Sequence, residues 1–178
     1  MGSEPGDSRH QPDGHRLDPV PAVLASAEWS SLERGIIQRA ELLDLIAIDL
    51  YGPRNLIARG LLPPEVVFGH PGFVRACDGQ ALPGGRQVFN YAADLVHGPD
   101  GSWQVLADQT QSPSGAGYAL ENRVVTSRVF PSLYREAQVH RLAPFFRSLR
   151  SALQAMAPPG TNGDPRIVVL TAHGRTVE

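Results

Sequence analysis

A chain of 178 residues with 42% hydrophobic content is long enough for one globular domain with a core of its own. Its formal net charge is -2 and its 16 basic residues are all arginine, which leaves no basic footprint for nucleic acid and no lysine for a Schiff base or a P-loop contact to phosphate. A single cysteine, Cys77, excludes an intramolecular disulfide and a thiolate metal cluster; with no long apolar run and no apolar leader core in MGSEPGDSRHQPDGH, the expectation is a cytoplasmic protein without membrane contact.

Residues 1–16 are polar and rich in Gly, Pro and Asp, with too little apolar surface to offset the entropy of ordering them, so a disordered lead-in is expected. A long helix follows. Ser30 and Glu33 have capping-box spacing, and Trp29, Leu32, Ile36, Ala40, Leu43, Ala47 and Leu50 recur at helical intervals as a core face. GPRNLIARG sets Pro53 near the start and Gly60 at the end of a helix of about two turns. EVVF then reads as a strand, and GHPGFVRACDG as a turn-rich connection in which Cys77 is a buried small side chain rather than a nucleophile.

VFNYAADLV and WQVLAD flank HGPDGS, whose Pro-Asp-Gly is turn chemistry, so the two segments are expected to pair as a β-hairpin. YALENRVVTSRVF has helical character and should end at Pro131. A further helix runs from about Ala143, with Pro144 in its first turn and Phe145, Phe146, Leu149, Ala152, Leu153 and Met156 as an inward stripe. RIVVLT reads as a short buried strand of an α/β sheet.

The hairpin ends in a polar residue and feeds SPSGAG and then a helix. Small residues let backbone N–H groups approach an oxygen, and the first helical turn adds unsatisfied donors and the positive end of the dipole. Asp108 stands where a carboxylate could hold a hard cation, with Gln109, Gln111, Ser114 and Asn122 as neutral oxygen donors. The alternative is purely local: Pro113, Gly115 and Gly117 make a tight turn that Asp108 caps, and Glu121 and Arg123 are a helix-surface pair and a structural contact. The histidines have no metal-ligand spacing. His70 and His97 fall in turns, His140 in a helix, and His10, His15 and His173 near the termini.

LDPVPAVLASAEWSSLERGIIQRAELLDLIAIDLYGPRNLI, HPGF, AADLVHGPDGSWQVLADQTQSPSGAGYALENR, FP and RIVVLT, in that order, resemble the first part of the circularly permuted type 2 ATP-grasp family. The resemblance covers about Leu17 to Thr171. It implies an α+β fold, the N-terminal part of a permuted ATP-grasp fold with helices packed on a small sheet containing the hairpin. Residues 17–160 would be a partial ATP-grasp domain and 161–178 the start of a second α/β half. Such enzymes hold Mg-ATP between two lobes and phosphorylate a carboxylate, after which an amine or thiol attacks the acyl phosphate. On that footing ATP and Mg2+ are the implied cofactors, Asp108 the metal ligand, and Gln109, Gln111, Ser114, Gly115, Asn122 and Arg123 the residues nearest the nucleotide.

Two departures accompany the resemblance. Family members often read Glu-Asp-Asn-x-Arg where this chain has Ala107, Asp108, Gln109, Thr110 and Gln111, which implies altered metal binding or a non-catalytic role. After RIVVLT the chain reads AHGRTVE instead of a Gly-rich continuation, the look of a frameshift or premature stop, so the expected partner is the missing C-terminal half of the same fold. A fragment of this kind should be inactive alone, because a transferring phosphoryl group needs clamps from both sides. The rival expectations are a non-catalytic interaction module, with an all-helical alpha-E type domain as the partner that the resemblance suggests, and a self-standing small domain.

Overall fold

The computed structural model describes residues 20–80 and 82–169. Helix α1 spans Ser26–Leu50, and its 25 residues are the scaffold for most of the long-range contacts below. Its half-buried side chains include Leu32, Ile36, Ala40, Leu43, Ala47 and Leu50, as the periodicity requires, whereas Trp29 is exposed. The capping-box expectation fails: the helix begins four residues before Ser30, whose hydroxyl donates to the Ser26 carbonyl inside the helix. Spacing alone could not separate a cap from such back-bonding.

Asp49 near the end of α1 caps the next helix. Its carboxylate accepts from the backbone N–H groups of Asn55 and Leu56, both at 2.9 Å, so α2 (Asn55–Ala58) starts after Arg54 in the left-handed region and is one turn long rather than two. EVVF is not a strand. Pro64–Phe68 forms helix α3, because Pro64 stands at the first position, where it has no N–H to leave unsatisfied, and Glu65 lies in the positive first turn. A 3-10 turn at Arg75–Cys77 follows, and Cys77 is exposed, not buried, since that turn lies on the surface. Tyr51 stacks on Phe73 at 4.9 Å and Phe68 meets Phe73 edge-on at 5.1 Å, while Arg54 lies over Phe68 and pairs with Asp78.

The sheet is the expected hairpin, β1 (Ala92–His97) paired antiparallel with β2 (Trp103–Gln109). Its turn is closed by the Gly98 N–H on the Ser102 carbonyl at 2.7 Å, and Gly101 takes a φ of 80°, which a side chain would resist. His97 thus ends a strand. Helices α4 (Ala116–Val129), α5 (Pro131–Glu136) and α6 (Ala143–Ala155) complete the described chain, with Pro131 opening α5 as α4 ends. His140 lies in the α5–α6 connection rather than in a helix. The stripe on α6 is half-buried at best, and Phe145 is exposed.

Residues 166–169 of RIVVLT are not in a strand. No other strand among the described residues lies beside them, and Val168 and Val169 are 79% and 78% exposed. Without a neighbour, an apolar run has no ladder to join. The last two residues of that run, the lead-in 1–16, and His10, His15 and His173 lie outside the described residues. Among the described residues, Val67 is the one apolar residue that is buried, at 7% exposure, and no helix is long and apolar enough to cross a membrane.

Candidate functional site

The register of the hairpin decides which way each side chain faces. Asp94 is paired with Ala107 and Leu95 with Val105, so Leu106 is an extra residue, a β-bulge, and it is itself exposed. Side chains alternate along a strand, but the extra residue inverts the alternation. Trp103 and Val105 on one side of the bulge and Asp108 on the other therefore share the face that looks toward α1. Ala107 and Gln109 share the opposite face with Asp94, and the Gln109 amide donates to the Asp94 carboxylate at 3.1 Å.

Against α1, Asp108 is held on both oxygens. Arg39 Nε donates to Oδ1 at 2.6 Å and its Nη2 to Oδ2 at 2.7 Å, and the Tyr91 hydroxyl donates to Oδ1 at 2.7 Å. The guanidinium and then the phenol hold the Asp108 carboxyl well below the usual carboxylate range, at about 2. Burial first, and then the bond to Asp108, push the Tyr91 phenol up to about 12.

Two more contacts from α1 complete the frame. Trp103 Nε1 donates to Glu28 Oε1 at 2.7 Å, and the buried Asp44 accepts from the backbone N–H groups of Gln87 and Val88 at 2.7 and 2.8 Å. A cleft of about 900 Å³ lies between α1 and the hairpin, floored by Leu32, Ile36, Leu95 and Val105 and bounded by Glu28 and Trp103 at one end and Arg39 at the other.

Beyond β2 the chain passes Gln111 and Ser114, both exposed, to Gly115, which precedes α4 with a φ of 101° and leaves the helix start with no side-chain cap. Ser112, at a φ of 50°, makes the preceding bend. This brings Gln111, Ser114, Gly115 and the first N–H groups of α4 to one loop. Asn122 and Arg123 are not part of it. Arg123 is roughly 12 Å along the helix from Gly115, and its Nη1 donates to the His140 carbonyl at 2.9 Å, a contact that ties α4 to the α5–α6 connection.

The order of these features, a hairpin leading through a small-residue loop into α4, matches a known family along nearly its whole length. Residues 21–176 correspond to the family described as circularly permuted ATP-grasp type 2. The chain belongs to that family. A Mycobacterium tuberculosis protein of uncharacterized function is 48% identical over 166 residues, covering 93% of this chain and 19% of its own length. A Synechocystis protein, also uncharacterized, is 36% identical over 155 residues, 87% of this chain and 32% of its own. A Frankia alni protein whose name offers it as a candidate glutamate–cysteine ligase is 38% identical over 169 residues, 94% of this chain and 19% of its own. The chain thus spans about a fifth of that M. tuberculosis protein and of the Frankia protein.

Set against the magnesium that ATP-grasp chemistry implies, the hairpin residues do not fit. Asp108 is neutralised by a guanidinium on both oxygens, and the opposite face offers one carboxylate, Asp94, already bonded to the Gln109 amide, with the Ala107 methyl beside it. Among the described residues no three His, Cys, Asp or Glu side chains converge as a metal site. The loop and α4 fit an anion better, since Gly115 supplies no side-chain cap to the backbone N–H groups of Ala116 and Gly117. Arg39, Tyr91, Asp44 and Glu28 were not legible as site residues, because their partners lie far away in sequence, 69 residues in the case of Arg39 and Asp108.

Proposed function

We propose that this chain is the phosphate-holding portion of a larger ATP-dependent ligase that joins a carboxylate to an amine or a thiol. In that reaction a carboxylate oxygen bonds to the γ-phosphorus as ADP leaves, and the nucleophile then displaces phosphate from the acyl carbon and loses a proton. Membership of the ATP-grasp family and the name of the Frankia relative support the ligase class. The observation that carries the reading is the Gly115-led start of α4, reached from β2 through the loop Thr110–Gly115, where Ser114 and the N–H groups of Ala116 and Gly117 would receive a phosphate oxygen.

Surface left uncovered on this chain supports its working as one part of a longer polypeptide. Leu45, Leu61, Val66, Val168 and Val169 are all exposed, and single domains seldom leave so much apolar surface in water. The matching counterpart would be the remaining part of the ATP-grasp fold.

The test is ATP binding by this chain, by calorimetry, for the wild type and Ser114→Asp. A carboxylate beside the proposed oxyanion site should weaken ATP by about tenfold with an unchanged far-UV spectrum; equal affinity in the two proteins overturns the site. A second reading, a non-catalytic module, is favoured by Ala107 and Gln109 on the outward face of the hairpin. Hydroxylamine trapping of an acyl phosphate on the longer M. tuberculosis relative separates the two, since a module gives no hydroxamate.

A further inference from the structure

We propose that Arg39, Asp108 and Tyr91 form a positioning clamp, in which the carboxylate turned inward by the Leu106 bulge is committed to a guanidinium and a phenol instead of a divalent cation. A strict two-residue alternation from Trp103 and Val105 would have aimed Ala107 and Gln109 at α1 and left Asp108 on the open face. The extra residue reverses that assignment. Once turned inward, the carboxylate finds a fork of two N–H donors and one O–H, three charge-assisted bonds of 2.6 to 2.7 Å. A cation at the same oxygens would have to displace a guanidinium that is itself fixed on a 25-residue helix, and would meet its positive charge at contact distance.

The spacing of the contacts shows what the clamp positions. Glu28 and Arg39 are eleven residues apart on α1, roughly 16 Å of helix, and their partners Trp103 and Asp108 are five apart on β2, roughly 17 Å of strand. Helix and strand are therefore pinned at two points with matched separation, running in the same direction. The second pin is one residue before the end of β2, and the chain leaves it for Thr110–Gly115. The clamp is thus the second and last of these pins to α1 before the loop, and sets where the start of α4 stands relative to α1.

The inference is independent of whether the loop binds a nucleotide. Its test uses the full 178-residue chain, with Mn2+ as the probe, in wild type, Asp108→Asn, Arg39→Gln and Tyr91→Phe. Expected are Mn2+ affinities within about twofold between wild type and Asp108→Asn, since no metal contact is lost, measured by the paramagnetic signal of free Mn2+. A wild-type protein that binds Mn2+ and loses about tenfold or more in Asp108→Asn overturns the clamp. A role that is only structural would not move the second readout: the phenol absorbance change that Tyr91→Phe removes should come at lower pH in Asp108→Asn, which takes away the acceptor's negative charge, and at higher pH in Arg39→Gln, which takes away a positive charge beside the phenol. A Tyr91 titration unchanged by Asp108→Asn overturns the proposal. Should Asp108→Asn fail to fold, Tyr91→Phe carries the metal comparison: it removes one bond from Oδ1 and should not raise Mn2+ affinity, and a rise of about tenfold would show that the phenol had been blocking a cation site.

Discussion

Trp103 hangs from Glu28: the indole Nε1 donates to Oε1 at 2.7 Å, and the ring meets His97 edge-on at 4.9 Å. The first residue of β2 is thereby fixed both to α1 and to the last residue of β1, so the turn end of the hairpin cannot swing away from the helix without breaking the Glu28 bond. Glu28→Ala should cost about 1 kcal/mol, the usual net worth of such a bond, and shift tryptophan emission to the red as the indole gains water. Urea titration with fluorescence detection measures both. An unchanged midpoint and spectrum would mean that the bond does not persist in solution.

Asp44 serves a different purpose. It is the one polar side chain among the described residues that is buried, and its Oδ1 satisfies two consecutive backbone donors, Gln87 and Val88, in a segment that has no sheet partner there. Asp44→Ala strands both N–H groups, each costly to leave unpaired. A loss of about 2 to 3 kcal/mol in urea is expected, larger than for Glu28→Ala, and Asp44→Asn should recover part of it because the amide oxygen still accepts. Equal losses for the two Asp44 variants would place the cost in the charge rather than in the backbone bonds.

How far the sequence carried the reading depended on distance along the chain. The hairpin and the break before α4 were legible because Pro99-Asp100-Gly101 and Ser114-Gly115 are local turn chemistry, and α1 and α6 because apolar residues repeat at the helical period. EVVF carries the strand propensity of two β-branched valines, yet Pro64 at the first helical position fixes a helix start there. The Leu106 bulge left no trace: WQVLAD scans equally well with or without an extra residue, yet it reverses which face Asp108 occupies. The family resemblance supplied the fold class and the place of the loop, while the Arg39 contact needed the three-dimensional arrangement.

Cys77 offers a check on the surface assignment between α3 and β1. The thiol is exposed in the 3-10 turn Arg75–Cys77. Native protein should react with a disulfide reagent such as DTNB to one thiol per chain without denaturant, at a rate close to that of the unfolded protein. Reaction only in denaturant would mean that the turn is covered in solution, either by another part of the chain or by a second copy.

The pair Asp108 and Tyr91 sets opposite limits on the pH range of stability. The folded carboxyl is lowered to about 2 by its bonds from Arg39 and Tyr91, so its contribution is complete above the ordinary value of about 4 and is lost as pH falls through about 2. The folded phenol is raised to about 12 by burial and by Asp108. Its contribution is complete below the ordinary value of about 10 and is lost as pH rises through about 12, because ionisation puts a second negative charge against the carboxylate. Wild-type melting temperature should therefore fall on both sides of a plateau. In Asp108→Asn the acid decline between about pH 4 and 2 should flatten by the share this carboxyl supplies, and in Tyr91→Phe the alkaline decline should start later. Parallel acid limbs in wild type and Asp108→Asn would show that the Arg39–Asp108 pair adds nothing to stability, the outcome that ordinary solvent-exposed ion pairs often give. The pair differs from those in being bidentate and in sharing one oxygen with a half-buried phenol, which is why a measurable difference is expected.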